Sequence, residues 1–475
     1  MAGRNGQCAL RLFKVLVSRF PVHTALTIAT LGALLCALPR ALPRVVPAFQ
    51  GPRIDQLTSL AEFNPERTPL LPWRPHVTPE VVAPVLLKNH EFVPLLDDRD
   101  GVLDDFYAAL WRTERKVPSA MTRILHYGDS PTTGDLITGD IRAQLQNQYG
   151  DAGHGFTLLA KPWAWYQHRG VSLDDSGWQI LPATLPDLKD GLFGLGGVSL
   201  IAESPAHTQI TWRDAGQSEF ELFYLQQSEG GNVTVTSHGE ILDEIHTAAA
   251  AKSPGFAAFQ VPGGASELDL QSQGKVRLFG LTAERAGPGV VYDSIGLNGA
   301  SITVLSRKFN RQHWTLELRE RNPNLVVLNY GTNEADSASF VDTQYEKELR
   351  EAIGRLQTAL PDASILVMSP MDRGYRPRPG EIETMATIPR IVATQRRVAR
   401  ETGCGFFDTF TAMGGAGTMA LWYNGQPRLV SADLIHPYPA GGKIIATIFV
   451  KQIEAGLSRY KLRQTTQSSA SSAVR

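Results

Sequence analysis

Ile124-Leu125-His126-Tyr127-Gly128-Asp129-Ser130 is the stretch that decides the fold. Four residues with the character of a buried strand run straight into a Gly-Asp-Ser turn. A helical pattern over 133–149 follows, with Leu136, Ile137, Ile141 and Leu145 on one side and Gly150 as its stop. A strand feeding a helix through a tight turn is the repeating unit of a parallel sheet, and in an open parallel sheet ligands gather at the carboxyl ends of the strands. A serine placed there is exposed, beside helix amides that favour a developing negative charge.

The same alternation returns downstream. Leu325-Val-Val-Leu328 reads as a strand, followed by a helix carrying Tyr345, Leu349, Ile353, Leu356 and Leu360. The strand Ile365-Leu-Val-Met368, a helix over about 388–402 and the strand Gly405-Phe-Phe407 come next. A last helix begins near Pro439, with Ile444, Ile445, Ile448, Phe449 and Ile453 facing inward. Upstream, 104–115 is helical, with Phe106, Leu110 and Trp111 on one face. Residues 197–287 differ: short alternating strands at 209–212, 220–224, 233–236 and 276–278 are punctuated by Glu-Gly-Gly and Pro-Gly-Gly turns. That is the pattern of an antiparallel β-sandwich. The fold class expected is α/β, a parallel sheet flanked by helices with an inserted antiparallel β-sandwich. The catalytic domain is expected over 101–196 and 288–462, interrupted by the insert at 197–287.

The 475-residue chain has room for such a domain with accessories. Its 46 basic and 47 acidic residues nearly cancel, so there is no electrostatic footprint of a nucleic-acid partner. Cys8, Cys36 and Cys404 cannot make a disulfide framework, no spacing resembles a zinc site, and no cofactor is called for. Cys404 reads as a small core residue.

In the first fifty residues, Arg4, Arg11, Lys14 and Arg19 precede an apolar stretch at 22–39, and no acidic residue appears before Asp55. Residues 1–50 are therefore expected to be a signal anchor or a cleaved signal peptide, tethering the chain to a membrane. The charge bias puts the catalytic domain outside the cytoplasm, in the periplasm or at the cell surface, or secreted. Prolines recurring through 39–94 exclude a long helix, so 51–100 is read as an extended tether or a wrap over the domain surface. Residues 463–475, rich in Ser, Gln and Ala, are expected to be disordered.

Other residues add chemistry to Ser130. Gly331-Thr-Asn333-Glu follows a buried strand, and an asparagine amide there can donate to an oxyanion or simply close a turn. Asn298-Gly299 marks the return from the insert; a glycine amide can approach a substrate closely, though an ordinary turn explains the dipeptide equally well. A serine nucleophile needs an imidazole to take its proton and a carboxylate to fix the ring. Three Asp-x-x-His pairs occur: Asp151–His154, Asp243–His246 and Asp433–His436. A helix of about 17 residues, roughly 25 Å long, carries His154 to the far end of the sheet. His246 falls in the insert, and His126 belongs to the strand as a core or supporting residue. Only His436 follows the last strand, back at the edge where Ser130 sits.

Together these blocks resemble the SGNH (GDSL-type) hydrolases, whose Ser, Gly, Asn and His appear in this chain order. The resemblance covers roughly 120–460 and implies a triad of Ser130, Asp433 and His436. It also implies an oxyanion hole made of the Ser130 and Gly299 amides and the Asn333 side chain. Pro131 after the serine removes an amide there, though not the serine's own. A β-sandwich between the serine and glycine blocks is similar to the arrangement in bacterial peptidoglycan O-acetylesterases. The resemblance implies an esterase removing a small acyl group, acetyl above all, from an envelope or extracellular carbohydrate. Two alternatives stay open: an O-acyltransferase using the same triad, and a carbohydrate-binding envelope protein whose hydrolase site is idle. Lys161-Pro-Trp-Ala-Trp-Tyr166 and Trp422-Tyr423 are candidate sugar-stacking platforms, with core packing the commoner role for such rings.

Overall fold

The structure, a computed structural model, describes residues 94–186 and 188–473. The expected signal or anchor and nearly all of the Pro-rich tether lie outside the described residues. Among the described residues no helix is long and apolar enough to cross a membrane.

A six-stranded sheet forms the centre, in the spatial order Leu96–Asp97, Gly405–Phe407, Ser364–Met368, Leu325–Asn329, Met121–Gly128, Gly289–Gly296. The last five run parallel, and Leu96–Asp97 closes the edge in the antiparallel sense. The end of the expected tether is thus a piece of the sheet.

Alternate residues on each strand serve opposite faces, as the pleat requires. Leu125, Val326, Leu328, Ile365, Val367 and Phe406 pack against Trp314, Leu349, Ile353, Ile391 and Val398 from helices on one side. Ile124, Val290, Tyr292, Val327, Leu366 and Phe407 meet Phe106, Leu110, Ile141, Leu145, Phe449 and Ile453 from helices on the other. Both faces are covered, so the strands are continuous apolar runs.

The β-rich part is two antiparallel sheets around their own core. Five strands, from 240–246 across to 171–176, form one sheet; the other runs from 253–265 across to 179–182, with 153–157 paired onto its 276–284 strand. Trp212, Phe220, Leu222, Val235, Leu270 and Leu278 fill the space between them. These sheets recruit strands before 197, the expected start of the insert. Val171–Ser176 alternates between half-buried and exposed positions and pairs with Ala206–Trp212, which is strand behaviour at a sheet edge.

Two helices depart from expectation. The pattern read as one helix over 133–149 is a single turn at Ser130–Thr133 and then a helix at Thr138–Tyr149. Gly134 and a left-handed Asp135 (φ 51°) interrupt it, because the Asp135 carboxylate turns inward to pair with buried Arg142. The final helix runs from Pro439 to Ala473, so the expected disordered end is helical. Thr465 and Thr466 return their hydroxyls to backbone carbonyls one turn earlier instead of breaking the helix.

Candidate active site

Three neighbouring parallel strands end in one row. Gly128 of the serine strand (Met121–Gly128) is in register with Gly296 on one side and Asn329 on the other. Ser130, Gly299 and Asn333 each follow within a few residues, so the sheet itself delivers them to the same edge. Gly296 lets the serine turn lie directly on its neighbour, since a Cβ there would stand 2.0 Å from the Thr133 backbone nitrogen. Gly299 takes φ 70°, the left-handed conformation that a side chain resists.

The histidine comes from a compact loop between the Val430–Pro437 bridge partners, closed by Ser431 N donating to the His436 carbonyl at 2.8 Å. Leu434 is buried within it at φ 60°, a conformation costly for a branched side chain. Gly374 N donates to the Leu434 carbonyl at 3.0 Å and holds that strained residue in place.

Asp433 is the hub of the loop. Its Oδ1 accepts the Ser431 hydroxyl and the backbone amides of Ile435 (2.9 Å) and His436 (3.1 Å). Its Oδ2 accepts from His436 Nδ1 at 2.6 Å. Burial pushes the carboxyl up, but the bonds from His436 and Ser431 outweigh it and hold Asp433 at about 2. With an ionised acceptor at Nδ1, the imidazole's lone pair falls to Nε2. Nε2 lies 2.7 Å from Ser130 Oγ and accepts its hydroxyl proton. The serine itself is 8 % exposed, buried save for an opening at its edge.

The remaining two expected residues stand on loops tied to each other and not bonded to the serine side chain. Asn333 Nδ2 gives one of its two protons to the Ala300 carbonyl at 2.8 Å, next to Gly299, and keeps the second. Glu334 fastens the same two loops: its Oε1 accepts Ile302 N at 2.7 Å and its Oε2 accepts Gly331 N at 3.0 Å. Burial pushes Glu334 up to about 7 in spite of those amides. Asp129 is also buried, and burial pushes it to about 6, opposed by Thr332 and the charge of His436. Among the described residues its Oδ2 has no hydrogen-bond partner.

Glu334 and Asp129 do not stand out in the sequence by themselves. Each is merely next to a residue that does, Ser130 for Asp129 and Asn333 for Glu334, and only the folded loops show that both carboxyls are buried.

The competing histidines find other partners. His154 Nε2 binds Asp214 at 2.8 Å, and His246 Nδ1 binds the Asn232 side chain at 2.8 Å. His126 is buried with Nδ1 2.6 Å from the Tyr292 hydroxyl; burial pushes its imidazole down to about 3, which keeps it neutral. Cys404 is buried and its thiol is pushed up to about 11, the state of an inert core residue.

The aromatic candidates divide. Trp163 packs against the core, whereas Trp165 Nε1 donates to Asn298 Oδ1 at 3.2 Å, on the loop that carries Gly299. Trp422 packs on the core, and the Tyr423 ring carries two guanidinium groups, of Arg376 at 5.2 Å and Arg428 at 4.3 Å.

The family described as GDSL-like lipase/acylhydrolase matches residues 264–444. That stretch holds Gly299, Asn333, Asp433 and His436; Ser130 lies upstream, separated by most of the antiparallel sheets. Among curated proteins no sequence matches the chain. Among solved structures it is similar to a peptidoglycan O-acetylesterase, with 24% identity and a TM-score of 0.66 over 77% of this chain and all of that one. An acetyl xylan esterase has 18% identity and a TM-score of 0.26 over 35% of this chain and 80% of that one. A family two carbohydrate esterase from Clostridium thermocellum has 14% identity and a TM-score of 0.27 over 59% of this chain and 99% of that one.

Proposed function

We propose that the chain is an ester hydrolase of the SGNH (GDSL-like) type, on the match of residues 264–444 to the GDSL-like lipase/acylhydrolase family, and that it removes a small acyl group, acetyl above all, from an acylated carbohydrate. The observation that carries this reading is the unbroken hydrogen-bonded line from Ser130 Oγ through both nitrogens of His436 to Asp433. A serine hydroxyl is a poor nucleophile until a base takes its proton at the moment of attack. Here the base is already in contact.

As Oγ bonds to the ester carbonyl carbon, its proton passes to His436 Nε2 and the carbonyl electrons move to oxygen. Asp433 holds the ring and balances the imidazolium. The oxyanion takes hydrogen bonds from the amides of Ser130 and Gly299 and from the second proton of Asn333 Nδ2. Collapse expels the sugar oxygen, which leaves as an alcohol with the proton from Nε2. Water then attacks the acyl-serine, gives its proton to Nε2, and the acid and the free serine are released.

The fold likeness to a peptidoglycan O-acetylesterase supports a carbohydrate substrate. The basic and apolar N-terminal sequence supports a working place outside the cytoplasm. The test is acetate release by protein lacking residues 1–50 from acetylated peptidoglycan, acetylated xylan and p-nitrophenyl acetate. Release that disappears in Ser130→Ala is the expected result. Equal release by the variant overturns the serine's role; release only with an added acceptor sugar converts the reading to acyl transfer.

A further inference from the structure

We propose that the site has an anion subsite, centred on Arg376, which binds a carboxylate carried by the acylated glycan. This deepens the proposed function and rests on it for the neighbouring ester.

Arg376 stands on the hairpin formed by Gly374–Tyr375 and Glu383–Thr384. Two hydrogen bonds join this hairpin to the histidine loop. Gly374 N donates to the Leu434 carbonyl, and Arg376 Nη1 donates to the Ala432 carbonyl at 3.0 Å. Ala432 directly precedes Asp433, so the guanidinium is fixed beside the triad and not on a remote surface.

The other charges of the hairpin are spoken for. Arg378 pairs with Glu381 at 3.1 Å, Glu383 accepts the Tyr375 hydroxyl at 2.9 Å, and nearby Arg373 pairs with Asp336 at 2.7 Å. Arg376 differs. Its contacts are a neutral carbonyl and the face of Tyr423, and among the described residues no carboxylate lies within ion-pair distance of it. It is exposed, yet the ring and the carbonyl hold it in one place, and Pro377 follows to stiffen the loop. Arg428 also lies over the Tyr423 ring and bonds the Tyr423 carbonyl at 3.1 Å, which helps to fix that ring.

A fixed, exposed arginine with donors to spare and no resident carboxylate is built for a planar anion. A carboxylate fits its fork in bidentate fashion, and because Arg376 is bonded one residue before Asp433, that carboxylate is placed on the same molecule as the ester. The substrate class is therefore an acidic acylated glycan, with a uronate or another carboxyl substituent on the chain.

The test compares each acetylated polymer with itself after its carboxylates have been converted to amides. O-acetylated peptidoglycan fragments and acetylated polygalacturonate serve as the two probes. Amidation is expected to raise KM by about tenfold in the wild type, the scale of a charge-assisted contact at a partly open site. In Arg376→Gln the free and amidated forms should converge, and Arg376→Lys should restore part of the preference, because it returns charge without the fork. Raising ionic strength should erode the wild-type preference.

Amidation without effect on wild-type KM for both polymers overturns the proposal, as does a penalty equally large in Arg376→Gln. Binding of the same polymers to Ser130→Ala, measured by calorimetry, keeps the result separate from catalysis. If neither polymer is turned over but free carboxylates still tighten binding through Arg376, the esterase reading fails and the subsite stands.

Discussion

Ser130 Oγ and His436 Nε2 meet at 2.7 Å across 306 positions of sequence. The sheet makes the meeting possible: the serine strand lies near one edge and the histidine loop follows the last parallel strand, yet every parallel strand points its carboxyl end the same way. Removing either partner should silence the enzyme without unfolding it. Ser130→Ala and His436→Ala are each expected to lower kcat by about 10⁴-fold or more. Thermal unfolding should stay close to wild type, since Ser130→Ala removes a single oxygen and His436 is only half-buried. Turnover of p-nitrophenyl acetate beside a melting curve checks both halves, and retained turnover in either variant would refute the triad.

Asp433→Asn isolates the orientation of the ring. The amide nitrogen or oxygen then faces Nδ1 without a fixed charge, and the histidine can present the wrong nitrogen to the serine. A loss of about 10⁴-fold in kcat at neutral pH is expected. KM for p-nitrophenyl acetate should move little, because Asp433 does not face the substrate. A large KM change with kcat preserved would assign Asp433 to binding.

Much of this is legible in the chain because it depends on local pattern. The apolar strands, their order in the chain and the Asp433–His436 spacing are sequence properties, and the helices on both faces of the sheet follow from periodicity. What escapes is what burial decides. Nothing local distinguishes Glu334 from a surface glutamate; only the folded loops show its two oxygens taking Ile302 and Gly331 amides. The break after Thr133 escapes for a similar reason. Asp135 leaves the helix to meet Arg142 and Ser294, and Ser294 lies on a strand 159 residues away. The early sandwich strands at 171–176 and 179–182 are hidden because the first is only half-buried on its inner face and the second is four residues long without alternation.

Glu334 gives a kinetic prediction. Replacing it with Gln puts an NH₂ group against a backbone amide and breaks one of the two clamps, loosening the loops of Gly299 and Asn333. Asn333→Ala removes a donor outright, for which an expected loss of about 10²–10³-fold in kcat is typical. Glu334→Gln should lose less, about tenfold, and also mainly in kcat. Steady-state kinetics separates the cases: a Glu334→Gln change confined to KM would mean that the loops hold substrate and do not stabilise the oxyanion.

The same two buried carboxyls predict how stability varies with pH. Glu334 stands near 7 and Asp129 near 6 in the folded chain, both above their ordinary values, so the folded state holds these protons more tightly than the unfolded one. Between about pH 4 and pH 7 the unfolded chain therefore binds fewer protons, and stability falls as pH rises. Unfolding free energy from denaturant titration should decline from pH 5 to pH 8 by a few kcal/mol, since each tenfold difference in proton affinity between the two states is worth about 1.4 kcal/mol. The slope should flatten in Glu334→Gln, and a wild-type profile that rises over that range would contradict the burial argument.

Arg321 supplies a test of how the two parts of the fold are joined. It is 4 % exposed and reaches Asp293 of the glycine strand (Gly289–Gly296) at 2.6 Å, as well as Glu284 of the antiparallel sheets. Asp293 Oδ1 in turn accepts Phe156 N at 2.8 Å, so one guanidinium neutralises carboxylates from both layers. A buried pair costs much to desolvate, and its loss is felt as the charge left behind. Arg321→Met should therefore destabilise by about 3–5 kcal/mol, lowering the unfolding midpoint in urea. Adding Asp293→Asn and Glu284→Gln to the same chain should recover a large part of that loss, since neither buried carboxylate then stands as an uncompensated charge, and Arg123, which pairs with Glu284 at 2.7 Å, is itself partly exposed. If the triple variant is no more stable than Arg321→Met, the destabilisation comes from lost packing of the arginine stem and not from uncompensated charge.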